Sequence, residues 1–121
     1  MFSSIAVNLT GTNVDSHYLG VPYDVRVVSI YFTADNAISK HAVNYMKLAI
    51  QDASGNEIGS VTNQDVAAGV ALVEGTPAAI TVDGQYADVA SGYALKFVKT
   101  VAGSGSDCVG TITVQLAAAR G

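Results

Sequence analysis

The sequence predicts a single all-β domain, an antiparallel β-sandwich of about eight strands, on three observations. Apolar residues alternate with polar ones at a period of two, which puts side chains on opposite faces of a strand. Turn signals built from Gly, Asn, Asp and Ser recur at short intervals. A long continuous run with helical periodicity is not visible. The clearest stretch is Ser91–Leu116. Tyr93, Leu95, Phe97 and Val101 share one parity, with Lys96 and Thr100 on the other, and then Ile112, Val114 and Leu116 alternate with Thr111, Thr113 and Gln115. Between the two runs lies a loop holding Gly103 and Gly105, which reach backbone angles closed to other residues. This reads as a closing β-hairpin with one buried face.

The earlier elements follow the same logic. Ser3–Leu9 sets Ile5, Val7 and Leu9 against small or polar residues and makes a first strand, ending at the polar turn Gly11–Ser16. His17–Val21 reads as a short edge segment stopped by Pro22, which cannot donate to a ladder. In Asp24–Ala34, Val28, Ile30 and Phe32 are expected on one face and Ser29, Tyr31 and Thr33 on the other. Ala34–Ala42 reads as a loop. Val43–Asp52 points Met46, Leu48 and Ile50 inward, and Ala53–Asn56 turns the chain into the return strand Glu57–Thr62. Asn63–Gly69 is a loop or a short helix, Val70–Val73 a candidate strand, and Thr76–Val82 a strand with Ile80 and Val82 inward. Gln85–Gly92 links to the last two runs. Immunoglobulin-like and jelly-roll orders both fit this inventory.

At 121 residues the chain fits one domain with a core of its own. Half the residues are hydrophobic and 13% are charged, against about 25% in an average globular domain. Much of the surface must therefore be Ala, Ser, Thr, Val, Asn and Gly, which suits contact with another protein. The net charge is −4, and the six Lys and Arg residues, from Arg26 to Arg120, form no cluster. A nucleic-acid partner, which needs a basic stripe to neutralise phosphates, is not expected. Nor is a membrane partner: no stretch approaches the roughly 20 apolar residues of a span. The opening MFSSIAVNLTGT lacks a basic start and a long apolar run, so no signal peptide is expected, and the acceptor pattern Asn8-Leu9-Thr10 reads as accidental. Cys108 is the single cysteine, which excludes an internal disulfide, and it reads as a small buried apolar residue.

Reactive chemistry is sparse. His17 and His41 stand in no metal-ligand spacing. The aspartates lie mostly in or beside turns, where their carboxylates accept backbone N–H bonds. No calcium loop occurs, although a site assembled from separate loops stays open at this level. The string Gly103-Ser104-Gly105-Ser106 does not match a nucleophile elbow and sits in the wrong structural setting. Neither catalysis, a cofactor nor a bound metal is expected. Among the aromatic residues, Phe32, Phe97 and Tyr93 read as core by parity. Tyr31 and Tyr45 fall on the opposite face of two strands expected to be neighbours, as a cross-strand pair or as anchors for a partner.

Gly92-Tyr93-Ala94-Leu95-Lys96-Phe97-Val98-Lys99-Thr100, then Gly103-Ser104-Gly105, then Gly110-Thr111-Ile112-Thr113-Val114-Gln115-Leu116 resembles the ending of small β-sandwich capsid decoration (cement) proteins of tailed bacteriophages. Val25–Phe32 followed by Asp35-Asn36-Ala37-Ile38 is similar to their second strand and loop. The likeness covers roughly residues 24–52 and 91–117, in hairpin and composition pattern rather than in a unique motif. It implies a non-enzymatic virion structural protein on the outer capsid surface, bound to the major capsid protein, self-associated as a homotrimer, and reinforcing joints between capsid subunits. Candidate partner-binding residues are Phe2, Ile5 and Val7 in the first strand, Tyr31 and Tyr45, and Ala118 and Arg120 in the segment Ala117–Gly121. An exposed sheet edge or terminal strand, Ser3–Leu9 or Ala117–Gly121, would pair with a capsid loop by strand addition. The alternative is a receptor- or glycan-binding module of a fibre or cell-surface protein, with its site in the loops Asp35–Ala42, Ala53–Asn56 and Gly103–Asp107.

Overall fold

In the computed structural model the described residues are 2–118, the side chain of Phe2 excepted. They form nine strands and no helix. The strands are β1 (Phe2–Leu9), β2 (Ser16–Gly20), β3 (Val25–Ala34), β4 (Tyr45–Gln51), β5 (Glu57–Thr62), β6 (Pro77–Ile80), β7 (Asp88–Val89), β8 (Ala94–Ala102) and β9 (Cys108–Ala118). One sheet has the order β1-β9-β3-β6, with β7 also paired to β3, and the other has the order β2-β8-β4-β5. Every ladder is antiparallel.

The pairing is nested. β1 lies beside β9, β2 beside β8, β3 beside β6 and β4 beside β5, so the chain behaves as one long hairpin rolled over itself. This is jelly-roll order and not an immunoglobulin-like one. Inward residues of both sheets fill the space between them. Phe32 and Phe97 are fully buried, as are Met46, Leu48, Ile50 and Ile112. Each such large side chain stabilises the fold by about 1.5–3 kcal/mol relative to exposure.

The architecture agrees with the predicted sandwich, and several local expectations are corrected. The last two runs do form strands, but they are not a hairpin. β8 belongs to one sheet and β9 to the other, and the loop between them crosses the sandwich. Both layers need one apolar face, so two facing strands carry the same alternation as two paired ones. Gly105 makes the crossing possible: its φ is +70°, and a side chain there would overlap the Gly11 carbonyl. In β3 the register slips between Val27 and Ser29, leaving Val28 in a bulge and 49% exposed. The extra residue resets the parity, so Val25 and Val27 face the core before it and Ile30, Phe32 and Ala34 after it. Tyr93, expected in the core, stands in the turn before β8 and is 58% exposed. Ile38 and Leu72 form an isolated bridge where a strand over 70–73 was a candidate, and 63–69 is a loop. The linking segment 85–92 contributes the short strand β7.

Candidate partner-binding surfaces

The two outer faces differ in charge. On the outer face of the β1-β9-β3-β6 sheet stand Ser4, Ala6 and Asn8 of β1, Thr111, Thr113 and Gln115 of β9, Ser29, Tyr31 and Thr33 of β3, and Pro77 and Ala79 of β6. None of these is charged. Among the described residues, the one ion pair at this sheet joins Arg26 to Asp88 at 2.9 Å, at the end where β3 meets β7. Tyr31 lies near the middle, 40% exposed, opposite Thr113 on one side and Ala79 on the other. Beside it Thr33, Pro77 and Thr113 line a shallow hollow of about 220 Å³. Ser29 donates to the Gln115 side chain at 3.1 Å, which orders the polar groups next to the ring. A flat neutral face of small side chains with one aromatic ring can be buried against another protein without desolvating a charge.

On the other sheet the charges stand on the central strands as well as at the edge. Lys47 pairs with Glu57 at 2.8 Å across β4 and β5, Lys96 stands opposite Gln51, and Tyr18 of β2 is 62% exposed. Tyr45 is half-buried at the start of β4. Tyr31 and Tyr45 are therefore on different sheets, and the expectation that they form a cross-strand pair is corrected.

The remaining candidates fall in three groups. Val7 is 2% exposed and Ile5 is half-buried against the core, so the side chains of β1 at these positions serve the fold. What β1 offers a partner is its edge: it pairs with β9 on one side, and no described strand pairs with the other. Ala118 is exposed at the end of β9, where it is still paired with Val25. Phe2 begins β1, its side chain outside the described residues, and Arg120 lies outside them altogether.

The three loops named for glycan recognition do not all converge. Residues 36–39 and 105–107, with Gly11, line a shallow cavity of about 300 Å³ at one end of the sandwich. The turn at Asp52–Ser54 is at the other end of β4, beside Asp88, Val89, Ala90 and Tyr93. The turn aspartates do the structural work expected. Asp52 accepts from the Ser54 and Asn56 amides, both at 2.9 Å, and from the Asn56 side chain at 3.0 Å. Burial pushes its carboxyl up, but the bonds from Asn56, Ser54 and Gly55 outweigh this and hold its pKa below the ordinary value. His41 is likewise occupied, its Nδ1 accepting from the Val43 and Asn44 amides at 3.1 and 2.8 Å. Among the described residues, no group of three or more His, Cys, Asp or Glu is placed to hold a metal ion, and no helix is long and apolar enough to cross a membrane.

One buried charge escaped the sequence reading. Lys99 is 1% exposed and points inward from β8. Its ammonium donates to the Leu9 carbonyl at 2.8 Å and to the Gly11 carbonyl at 3.0 Å. Asp107 accepts from the Gly11 amide at 2.8 Å, so the turn after β1 is held from both sides. The signal was present, since Lys99 shares the parity of Leu95, Phe97 and Val101. Cys108 is fully buried nearby, and burial, opposed by the charge of Lys99, pushes its thiol up to about 12.

No protein-family model matches the chain, and no curated protein matches it at a significant level. What the fold and surfaces define is a jelly-roll domain whose one sheet is uncharged around Tyr31, with the Arg26–Asp88 pair at its β3–β7 end, and whose other sheet carries Lys47, Glu57 and Lys96.

Proposed function

We propose that the chain is a non-enzymatic virion structural protein that binds the outer surface of a tailed-phage capsid and stabilises joints between major capsid subunits. The observation that carries this reading is the uncharged outer face around Tyr31 on a chain that is itself short of charge. The resemblance of segments 24–52 and 91–117 to capsid decoration proteins gives the partner. In this reading the face around Tyr31 lies on the capsid, Tyr31 enters a groove between subunits, and the charged sheet faces solvent. Each contact is modest, and self-association multiplies it through effective concentration.

Co-sedimentation with empty, expanded capsids from the same source, followed by melting of the particles, tests the proposal. Saturable binding with a raised capsid melting temperature is expected, because a ligand of the assembled state stabilises that state. No binding at saturating protein would overturn it. The second reading, a glycan- or receptor-binding module, is favoured by the polar cavity between residues 36–39 and 105–107, where Asn36, Ser39, Ser106 and Asp107 converge. Saturable sugar binding without capsids, abolished by Asp107→Ala, would favour it.

A further inference from the structure

The four outer strands of this sandwich are not equally protected. A free strand edge presents unpaired N–H and C=O groups, and natural edges are blunted by shortness, charge, proline or a covering segment. β5 is covered: the Asp83 amide donates to the Ile58 carbonyl at 2.7 Å and the Val70 amide to the Thr62 carbonyl at 2.9 Å. β6 is four residues long and starts at Pro77. β2 is five residues long, between Asp15 and Pro22. β1 runs for eight residues, FSSIAVNL, without a charge or a proline. Among the described residues nothing pairs with its outer edge, and only at its end is a carbonyl, that of Leu9, taken by Lys99.

We infer that this edge is occupied by the same edge of a second copy, β1 against β1 in antiparallel register about a two-fold axis. Three observations select a second copy. First, β1 is the one long unprotected edge. A ring of three copies would need two different complementary surfaces on each, whereas a lone open edge closes on itself with two-fold symmetry. Second, each copy carries a net charge of −4, which opposes approach in general, while β1 and the outer-face residues of β9 beside it are uncharged. Third, Ile5 is only half-buried at the open side of the core, and the inward residues of a second β1 would cover it. The pleat fixes the register further. Inward Ile5, Val7 and Leu9 must meet inward residues, and outward Ser4, Ala6 and Asn8 must meet outward ones. Paired positions therefore sum to an even number, and one residue of β1 sits on the axis opposite itself. The two neutral sheet faces join into one continuous surface. The inference stands independently of the capsid reading, and it replaces the trimer that the resemblance implies with a dimer.

Sedimentation velocity from micromolar to submillimolar protein, on the wild type and on the triple variant Ser4→Lys, Ala6→Lys, Asn8→Lys, tests it. These positions are exposed, so the variant folds, and in every permitted register centred between Ser4 and Asn8 it sets lysines opposite lysines, which is destabilising. The wild type is expected to be dimeric and the triple lysine variant at least tenfold weaker in association, while Ser4→Thr, Ala6→Thr, Asn8→Thr remains dimeric. Hydrogen exchange adds a readout specific to the edge: every second β1 amide should exchange at least tenfold more slowly in the dimer than in the dissociated variant. A wild type that stays monomeric, a trimer, or a dimer that the lysines leave unchanged would overturn the inference.

Discussion

Lys99 and Cys108 are shifted in opposite directions and act on stability with opposite signs. Burial lowers the pKa of Lys99 from 10.5, while Cys108 and Asp107 pull it back up. Below 10.5 there is then a window in which the unfolded chain binds more protons than the folded one, and stability rises with pH through it. Lys99→Met keeps the stem and removes the charge together with its two bonds to Leu9 and Gly11. It is predicted to cost about 1–2 kcal/mol at neutral pH, since two carbonyls lose their donor, and to remove the lysine's rising contribution to the alkaline slope. Denaturant titrations at neutral pH and just below the lysine range, wild type against variant, check both. Cys108 behaves conversely. Its pKa is raised from 9.0 to about 12, so its contribution is intact below 9.0 and is lost as pH rises from there toward about 12. Folded protein is predicted to react with a thiol reagent about a thousandfold more slowly than unfolded chain, from thiolate fraction alone. Equal rates would contradict this.

At the scale of the elements, β9 is an interior strand, paired on both sides, to β1 and to β3. Gly110 is where this shows: it lies opposite Val7 and Ala34, and any side chain there would overlap the Thr33 carbonyl. Gly110→Ala is predicted to destabilise by about 1–3 kcal/mol, read as a lower denaturant midpoint at unchanged slope. Strand positions were legible in the sequence because period-two alternation reports which face a residue takes. Strand partners were not. The runs that became β8 and β9 look like a hairpin, since alternation says nothing about which sheet a strand joins. The bulge at Val28 was illegible for a related reason: an extra residue in a ladder leaves an apolar side chain that reads as core. Lys99 was legible by parity, and its charge argued against the reading that parity gave.

For the whole molecule, the shortage of charge could be counted in the sequence, but its separation onto two faces depends on which strands share a sheet. Tyr31 was legible as an outward aromatic residue, whereas its setting among Thr33, Pro77 and Thr113 comes from the pairing of β6 and β9 with β3. The β1 edge was foreseen as a place for strand addition, and the comparison of all four edges required the topology. In the proposed function the sheet around Tyr31 is the docking face. Binding isotherms with empty capsids for wild type, Tyr31→Asp and Tyr18→Asp test it most directly, because both tyrosines are exposed and stand on opposite sheets. Tyr31→Asp is predicted to weaken capsid binding by about tenfold or more, while Tyr18→Asp binds as wild type does. Unchanged binding by Tyr31→Asp, with weakened binding by Tyr18→Asp, would contradict it and move the docking face to the charged sheet.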